Sequence, residues 1–289
     1  MTRPVLILLC GIPGSGKTTW AKNYISKNPD FVLLSSDAIR AELYGDENIQ
    51  GNPVEVFTLM QKKAVESLNA GYNVVYDATS MTRKDRAGII SMCPKFTHIQ
   101  CNIIWAPIET CIERDATRER TVGKEVIDRM LKRFQMPYYD EGIDEINIIR
   151  PENFDWDSYY DCIIDAMKIP HNNPHHQLDI YNHCMEAFNY AVEKQFDWEI
   201  REAAYYHDCG KPYVKVFVNT RGEPSDTAHY YQHQCTGAWM ACGLTFDIHT
   251  IWLISTHMAP FLNEKYYKNL PAYLKNSVDS LHEADLAAH

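Results

Sequence analysis

Three features are scarce in this sequence: long hydrophobic runs, paired cysteines and, in its second half, positive charge. No apolar segment approaches the ~20 residues that a membrane-spanning helix needs, and the apolar run Val5–Cys10 is too short for a signal peptide. The nine cysteines are an odd number and form no C-x-x-C pair, which favours a reducing compartment over a disulfide framework. We therefore expect a cytoplasmic protein that has no membrane partner.

The shortage of positive charge divides the chain in two. Residues 1–150 hold 19 Lys and Arg against 19 Asp and Glu, whereas residues 151–289 hold 9 against 19 and carry the whole net charge of −10. Eleven of the twelve histidines also follow residue 150. An acidic, histidine-rich half is a poor general binder of polyanions but suits divalent metal ions. This asymmetry predicts two domains.

The segment Gly11–Thr19 matches G-x-x-x-x-G-K-[ST], the phosphate-binding loop of kinases and NTPases. It follows an apolar run of strand type and precedes a helix-compatible stretch, as the motif requires. Its glycines let successive backbone N–H groups face an anion, and the helix N-terminus adds partial positive charge. In such a loop the lysine reaches the β- and γ-phosphates of ATP or another NTP, and the first threonine ligates Mg²⁺. The predicted nucleotide-binding residues are Gly14, Ser15, Gly16, Lys17, Thr18 and Thr19.

Five strand-type segments alternate with helices in residues 1–150, which predicts an α/β domain with a parallel sheet and helices on both faces. Ligands of such sheets bind beyond the carboxyl ends of the strands, so the polar residues that follow each strand are candidates for an active site. The predicted strands are Val5–Cys10, Val32–Leu34, Val74–Tyr76, Ile99–Ile104 and Ile146–Ile149.

Two carboxylates follow the second and third of these strands. Asp37 is placed to take a proton from a substrate hydroxyl, and Arg40, on the same helix face, to bind a substrate phosphate; alternatively, Asp37 only caps its helix. Asp77 is placed to order Mg²⁺ through water, or else it is a turn residue in a loop. The residue types alone leave both alternatives open.

A run of charged residues, Glu113–Val122, follows the fourth strand and a short helix. Such runs are usually solvated helix faces. P-loop kinases, however, place a lid at this point, and lid arginines stabilise charge on the transferred phosphoryl group. Arg114 and Arg118 are therefore candidate nucleotide-binding residues.

Taken together, these motifs resemble the 5′-hydroxyl polynucleotide kinase family of phage end-healing enzymes over roughly residues 1–150. The resemblance implies that Asp37 is the general base, that Arg40 binds the substrate's 3′ phosphate and that Arg118 contacts the nucleotide phosphates. Small-molecule kinases share much of this layout. The matching motifs are the phosphate-binding loop, Ser36-Asp37-x-x-Arg40, Asp77-x-Thr79 and Arg114-x-x-x-Arg118.

Residues 151–170 have the composition of a connector, in which Asp157–Met167 adds a last strand or helix to the first domain. Residues 171–289 are mostly helical by pattern, with helices expected over Gln177–Lys194 and Trp198–Tyr206. Imidazole and carboxylate side chains recur along this half, and together they suit Mn, Fe, Co, Ni or Zn. Each histidine taken alone is most often structural or surface-exposed, but the adjacent pair His207 and Asp208 favours metal binding. The residues of these types that come into question are His183, His207, Asp208, His233, His257 and Asp285, besides Thr18 and Asp77 in the first half.

The order His, His-Asp, His, His, Asp resembles the HD phosphohydrolase superfamily over about residues 170–289, and His207-Asp208-x-Gly210-Lys211 is its most specific part. The resemblance implies an all-α domain in which Asp208 serves two metal ions and Lys211 neutralises substrate phosphate. His176 and His229 are weaker candidates. Asp285 lies four residues from the end of the sequence, so we expect a short last helix or a cut chain. By this resemblance the two ligand sets are His183, His207, Asp208 and Asp285, and Asp208, His233 and His257.

Joined, the two resemblances imply a bifunctional end-healing enzyme. Its kinase would phosphorylate 5′-OH ends of RNA or DNA, and its HD domain would remove 3′ or 2′,3′-cyclic phosphate, so that a ligase can act. One alternative is a small-metabolite or nucleoside kinase fused to a nucleotide-hydrolysing HD domain, because a polymer usually requires a basic surface. Another is a regulatory ATP-binding switch or a kinase-type toxin.

Overall fold

The computed structural model describes residues 3–174, 177–262 and 264–289, with the backbone alone for residues 265 and 266. The chain forms two compact units, Met1–Met130 with Pro137–Glu152, and Leu131–Met136 with Asn153–His289. The division after Glu152 lies close to the predicted boundary at 150. The helix Trp156–Met167 falls in the second unit, whereas the sequence pattern placed this segment in a connector and with the first domain.

The first unit contains a five-stranded sheet in which every pair of neighbours is parallel, in the order β2-β3-β1-β4-β5. Helices cover both faces, and the central strand is apolar throughout because it is buried on both sides. The predicted parallel sheet and its five strands are confirmed. The strands are β1 Val5–Cys10, β2 Phe31–Ser35, β3 Asn73–Asp77, β4 His98–Ile104 and β5 Glu145–Ile149.

The strand order reverses at β1, whose neighbours are β3 on one side and β4 on the other. The segment that follows β1 therefore lies at a switch point of the sheet, where doubly wound folds bind their ligands. The helices of this unit are α1 Lys17–Lys27, α2 Ser36–Tyr44, α3 Pro53–Asn69, α4 Arg83–Ile90, α5 Ile108–Ala116 and α6 Lys124–Leu131, with a 3-10 turn at Tyr139–Glu141.

A buried ion pair supports the segment after β3. The Arg86 guanidinium donates to both carboxylate oxygens of Glu141 at 2.8 Å and also to the carbonyl of Ser80 at 3.1 Å. Both charged side chains are almost fully buried. Because each charge would be costly to bury alone, this bidentate contact holds the turn that follows Asp77 in a defined position.

The second unit is mainly helical, as predicted, but it also contains a two-stranded antiparallel ribbon. The ribbon turns at Asn219, whose side-chain oxygen accepts from the backbone of Arg221 and Glu223, and at Gly222, with φ of +80°. This Asn and Gly turn signal lies between short strands, and a search for helical periodicity overlooks it. The strands are β6 Val216–Val218 and β7 Pro224–His229.

Five helices of the second unit carry the predicted ligand residues or lead directly into them: α8, α9, α11, α12 and α15. The predicted helices α8 and α9 are confirmed, and α15 is a helix of 16 residues rather than a short one. No helix of the described ranges is both long and apolar enough to cross a membrane. The helices are α7 Trp156–Met167, α8 Ile180–Glu193, α9 Trp198–Tyr206, α10 Lys211–Val214, α11 His233–Ala241, α12 Ile248–Thr256, α13 Ala259–Leu262, α14 Glu264–Lys268 and α15 Ala272–Ala287.

Candidate active sites in the two units

The loop after β1 depends on glycine at two positions. Gly16 is the N-cap of α1 with φ of +102°, and Gly14 has φ of +81°, a region that side-chain-bearing residues rarely adopt. A Cβ atom at Gly14 would also lie 2.1 Å from the carbonyl oxygen of Cys111 in α5. The loop is thus packed tightly against α5 and leads directly into the N-terminus of α1.

Two side chains of this loop are buried with polar groups that suit an anion. Lys17 donates from Nζ to the carbonyl of Ile12 at 2.9 Å, and burial lowers the pKa of its ammonium group. The Ser15 hydroxyl is buried and has no hydrogen-bond partner among the described residues. A phosphate bound in this loop would accept from both groups and would offset the burial of the lysine charge. Thr19, in the first turn of α1, is exposed.

The two candidate Mg²⁺ ligands are in direct contact. The Thr18 hydroxyl donates to Asp77 Oδ2 at 2.7 Å. Asp77 is the last residue of β3 and is buried, so it is not a turn residue of a loop. Burial raises the pKa of Asp77, although its hydrogen bond from Thr18 and the charge of Lys17 act in the opposite direction. A cation next to this carboxylate would stabilise its charged form.

Asp37 and Arg40 form an ion pair at the start of α2. This helix follows β2, which is the neighbour of the strand that ends at Asp77. Ser35 is paired with Asp77 across β2 and β3, and the Ser35 hydroxyl accepts from the backbone of Ala38. Ser35 is therefore the N-cap of α2, and the interpretation of Asp37 as the cap is wrong. Arg40 Nη1 donates to Asp37 Oδ1 at 2.7 Å, and the Asp37 side chain is half exposed.

The charged run after β4 continues from α5 into a short loop, residues 117–123, that a buried carboxylate closes. Asp115 Oδ2 accepts from the backbone N–H groups of Val122 at 3.0 Å and Gly123 at 2.9 Å. Arg114 Nη1 lies 3.5 Å from the carbonyl of Gly14 in the phosphate-binding loop. Arg114 therefore lies beside the phosphate-binding loop, and Arg118 is an exposed residue of the short loop that follows α5.

In the second unit the six predicted ligand residues are all buried and lie together. Five of them form two groups, His183, His207 and Asp208, and Asp208, His233 and His257, and Asp285 forms a further group with His183 and His289; in each group one ligand atom per residue lies within 4.8 Å of the others. Asp208 belongs to both groups. A shared carboxylate is the geometry expected for a pair of neighbouring cations.

Asp208 turns one oxygen toward each group. Oδ2 lies 3.5 Å from His207 Nε2 and 3.7 Å from His183 Nε2, while Oδ1 lies 3.2 Å from His233 Nε2 and 3.8 Å from His257 Nε2. Within the groups, Nε2 of His183 is 3.2 Å from that of His207, and Nε2 of His233 is 3.0 Å from that of His257. Asp285 closes the first group, because its Oδ1 lies 3.0 Å from His183 Nε2.

The orientation of three of the imidazole rings is set by the residue three positions earlier in the chain. In each case Nδ1 lies within hydrogen-bonding distance of that residue's carbonyl oxygen, which fixes the proton on Nδ1 and leaves Nε2 directed into the site. The pairs are His207 with Ala204 at 2.8 Å, His233 with Tyr230 at 2.9 Å and His257 with Ile254 at 2.8 Å.

The pKa values of three histidines of the site are shifted in opposite directions. Burial lowers the pKa of His183 and, together with the charges of His233 and His207, lowers that of His257 to about 3. Burial also lowers the pKa of His207, but Cys184 and Asp208 outweigh it and hold this pKa well above its usual range. A cation bound at His207 would therefore displace a proton.

Two basic residues stand beside the shared carboxylate. Lys211 Nζ lies 2.5 Å from Asp208 Oδ2, and it is 3.3 Å from Nε2 of the buried His171. Burial would raise the pKa of Asp208, but Lys211 and His207 lower it well below its usual range.

A Cβ atom at Gly210 would lie 2.2 Å from the carbonyl of His233. The glycine in His207-Asp208-x-Gly210-Lys211 thus allows α10 to pack closely on α11.

A cavity of about 380 Å³ opens at this cluster. Its polar floor contains Asp208, Lys211 and His257, and its walls include the aromatic rings of Tyr230 and Phe261. A cavity with convergent polar groups and apolar walls is the usual form of a small-molecule site. Its size matches one small ligand or one terminal residue of a larger one.

Residues 6–137 match the protein-family model described as an AAA domain, a stretch that contains the phosphate-binding loop, Asp37, Asp77 and the loop after α5. The first unit has the fold of a P-loop kinase. This fold implies ATP and Mg²⁺ as cofactors.

Individual proteins are also similar to part of this chain. L-seryl-tRNA(Sec) kinase of Methanococcus maripaludis is 25% identical over 171 residues, which are 56% of this chain and 65% of that kinase. A chain of the Pnkp1/Rnl/Hen1 RNA repair complex is 24% identical with a TM-score of 0.42, covering 50% of this chain and 47% of that one. A gluconokinase from Sinorhizobium meliloti 1021 is 16% identical with a TM-score of 0.38, covering 53% of this chain and 86% of that one.

The chain covers only part of the length of these proteins. The chain spans 65% of the length of the curated kinase and about half of the repair-complex chain. Because both TM-scores lie below 0.5, the fold rests on the family match and on the strand order of the kinase unit. The histidine cluster follows the last residue of the family match, so its assignment rests on its own geometry.

Three residues of the sites escaped the sequence analysis. Asp115 lies in a charged run and could not be told from its exposed neighbours. Nothing in the sequence indicates that it is buried and hydrogen-bonds the backbone of the following loop. Arg120, in the same run, lies next to Asp37 in the kinase unit. His171 was not among the predicted ligands. The several histidines in the segment after residue 170 could have indicated a further residue of the site. His229 contacts Ser225 and stacks on Tyr231, whereas His176 lies outside the described residues.

Proposed function

We propose that the kinase unit transfers the γ-phosphoryl group of ATP to a 5′-hydroxyl at the end of a polynucleotide. The observation that carries this proposal is the placement of an acceptor pair, Asp37 and Arg40, beside a donor pair, Thr18 and Asp77, at the ends of two hydrogen-bonded strands. The curated relative is named as a kinase of seryl-tRNA, which supports an acceptor hydroxyl carried by RNA.

The residues of this unit take separate roles. Lys17 and the loop N–H groups would bind the β- and γ-phosphates of ATP, and Thr18 with Asp77 would hold Mg²⁺. Arg114 and Arg118 stabilise the charge on the group in transfer. Asp37 accepts the proton of the attacking hydroxyl as the new P–O bond forms and ADP leaves.

We further propose that the second unit is an HD phosphohydrolase that hydrolyses a 3′ or 2′,3′-cyclic phosphate. The donor set fits a metal centre, because an imidazole whose Nδ1–H binds a backbone carbonyl, as in His233 and His257, presents a lone pair at Nε2 when the ring is neutral. Two such lone pairs 3.0 Å apart, as in His233 and His257, repel each other unless a cation or a proton lies between them.

A transition-metal ion in this centre would supply water with a pKa near neutral as the nucleophile. Asp208 would hold both cation positions with its two oxygens, and the four histidines with Asp285 would complete them. Lys211 is placed to bind a phosphate oxygen that enters the cavity, since it lines the cavity beside the shared carboxylate. Imidazole ligands favour Mn, Fe, Co, Ni or Zn over Mg²⁺.

A second candidate is a small-metabolite or nucleoside kinase joined to a nucleotide-hydrolysing HD domain. The acidic character of residues 151–289 favours it, as does a cavity of about 380 Å³, which suits one nucleotide. The end of a polynucleotide also fits this cavity when only its last residue enters.

The test uses the whole chain and one RNA that carries a 5′-OH and a 3′ phosphate, with each end labelled separately. With ATP, Mg²⁺ and Mn²⁺ we expect phosphorylation of the first end and loss of phosphate from the second. A nucleoside, gluconate and a nucleoside monophosphate serve as competing substrates. Turnover of these small molecules at rates well above those of the RNA ends would replace the end-healing proposal with the second candidate.

A further inference from the structure

The last turn of the second unit brings a further histidine, His289, to the ligand cluster. His289 Nε2 lies 3.7 Å from Asp285 Oδ1, and the same carboxylate oxygen lies 3.0 Å from His183 Nε2. The His289 ring also contacts the His183 ring, with 5.2 Å between their centres and an angle of 55° between their planes. His289 therefore lies next to two of the predicted metal ligands, although no sequence pattern included it.

The backbone turn that places His289 also orients His183. Helix α15 ends at Ala287, and the chain continues in one more turn, in which the N–H group of Ala288 donates to the carbonyl of Asp285 at 3.2 Å. The Ala288 carbonyl lies 3.3 Å from His183 Nδ1. As with the other three histidines, this contact places the proton on Nδ1 and directs Nε2 toward the cluster. One turn thus positions both His289 and a predicted metal ligand.

The donor atoms of His289 and its neighbours are close enough to share one cation. One ligand atom from each of His183, Asp285 and His289 lies within 4.8 Å of the other two. The two groups around Asp208 meet the same criterion. Because the set with His289 contains His183, it adjoins the first group, which consists of His183, His207 and Asp208.

A further imidazole suits the charge and the accessibility of this metal position. Asp208 and Asp285 provide two carboxylates, which balance the charge of one divalent cation, and a neutral imidazole adds a ligand without adding charge. His183 is almost fully buried, whereas 29% of the His289 side chain is exposed. Asp285 and His289 both line the cavity. His289 thus lies on the side of the position that is open to the cavity.

We propose that His289 is a further ligand of the first metal position and binds its ion through Nε2. This inference rests on the metal centre of the proposed hydrolase. If His289 only packed against His183, replacing its ring nitrogen by another polar group would leave the affinity for every metal ion unchanged. If His289 is a ligand, the loss of affinity must depend on which ion is bound. Imidazole suits Ni²⁺, whereas oxygen ligands suit Mn²⁺.

The experiment measures the Kd of Ni²⁺ and of Mn²⁺ by calorimetry with the metal-free whole chain. The parent variant is His257→Ala, which lacks a ligand of the second group and should retain a single ion in the first. Adding His289→Gln should raise the Kd of Ni²⁺ at least ~10-fold, because even residues that only orient a metal ligand change metal affinity by this much. The Kd of Mn²⁺ should rise less, because the glutamine amide supplies an oxygen.

His249→Gln in the same parent is the matched control. His249 is an exposed histidine whose Nδ1 lies 3.9 Å from the carboxylate of Asp247, and it belongs to none of the ligand groups found among the described residues. Its Kd values should equal those of the parent. Since two ions are compared within one protein, a His289→Gln chain of lower stability still gives a decisive ratio. An unchanged Kd of Ni²⁺, or an equal rise for both ions, would overturn the inference.

The wild type separates failure of this inference from failure of the proposed function. Two Ni²⁺ ions per wild-type chain, with Kd values that His289→Gln does not change, would reject the ligand role of His289 and leave the metal centre intact. A Ni²⁺-selective loss in His289→Gln, from a wild type that hydrolyses no 3′ or 2′,3′-cyclic phosphate, would support the ligand role and reject the hydrolase. A wild type that binds no Ni²⁺ would reject both.

Discussion

The shared carboxylate of the second unit makes a quantitative prediction for Asp208→Asn. Asp208 offers one oxygen to each ligand group, and an asparagine offers a single side-chain oxygen. The wild type should therefore bind two Mn²⁺ ions per chain, and Asp208→Asn no more than one. His257→Ala, which removes a ligand of one group only, should keep one ion in the other group.

Metal binding should also appear as thermal stability. An ion present at 100 times its Kd stabilises the folded state by about 2.7 kcal/mol. For a unit of about 140 residues, the entropy of unfolding of ~2.1 cal/mol/K per residue converts this into a rise in Tm of about 9 °C per ion. The wild type should gain this twice, and Asp208→Asn at most once, in calorimetry of the whole chain with and without Mn²⁺.

A control is needed because Asp208→Asn leaves Lys211 buried without its carboxylate partner, which is itself destabilising. In Asp208→Asn/Lys211→Met neither charge is buried alone, so its metal content reports ligation rather than misfolding. Elemental analysis that finds two ions in either variant, or a Mn²⁺-induced rise in Tm equal to that of the wild type, would refute the bridging role of Asp208.

The remaining predictions concern the kinase unit. Lys17→Ala should abolish phosphoryl transfer from ATP while 3′-end hydrolysis persists; loss of both activities in a folded protein would contradict two independent sites. Asp37→Asn should lower kinase turnover with little change in ATP affinity, because Asp37 faces the acceptor; a near-normal rate would remove its role as base. Arg86→Ala should destabilise the unit by ~3–5 kcal/mol in urea unfolding, since it leaves Glu141 buried and unpaired. Arg83→Ala, whose ion pair is exposed, should cost less than ~1 kcal/mol, and equal losses would contradict this reasoning.

The sequence predicted the candidate site most accurately where its residues are defined by their spacing along the chain. The phosphate-binding loop and the strand ends follow from short motifs and apolar runs, and the parallel sheet brings Asp37 and Asp77 to one edge without further information. The meeting of His183, His207 and Asp285 was predicted only from a family resemblance. Their separations along the chain say nothing about distance, because the packing of α8, α9 and α15 brings them together.

The sequence could not reveal side-chain contacts with backbone atoms or with loops that are distant along the chain. Asp115 binds N–H groups of Val122 and Gly123, and every residue type carries such groups. Arg120 meets Glu47 and Gln50 only after the loops fold. Ser35, rather than Asp37, caps α2 because the strand ends one residue before the helix begins, a boundary that periodicity does not resolve.

The hydrogen bonds between each imidazole and the carbonyl three residues earlier have a consequence for local stability. His207 and His257 are the C-cap residues of α9 and α12, so the last turn of each helix and the orientation of its ring form together. If either helix end frays, its histidine no longer faces the metal site. An ion bound to that histidine therefore stabilises the helix end against fraying. Amide protons in the last turns of α9 and α12 should therefore exchange with deuterium more slowly when metal is bound, a reciprocal stabilisation of helix end and ion.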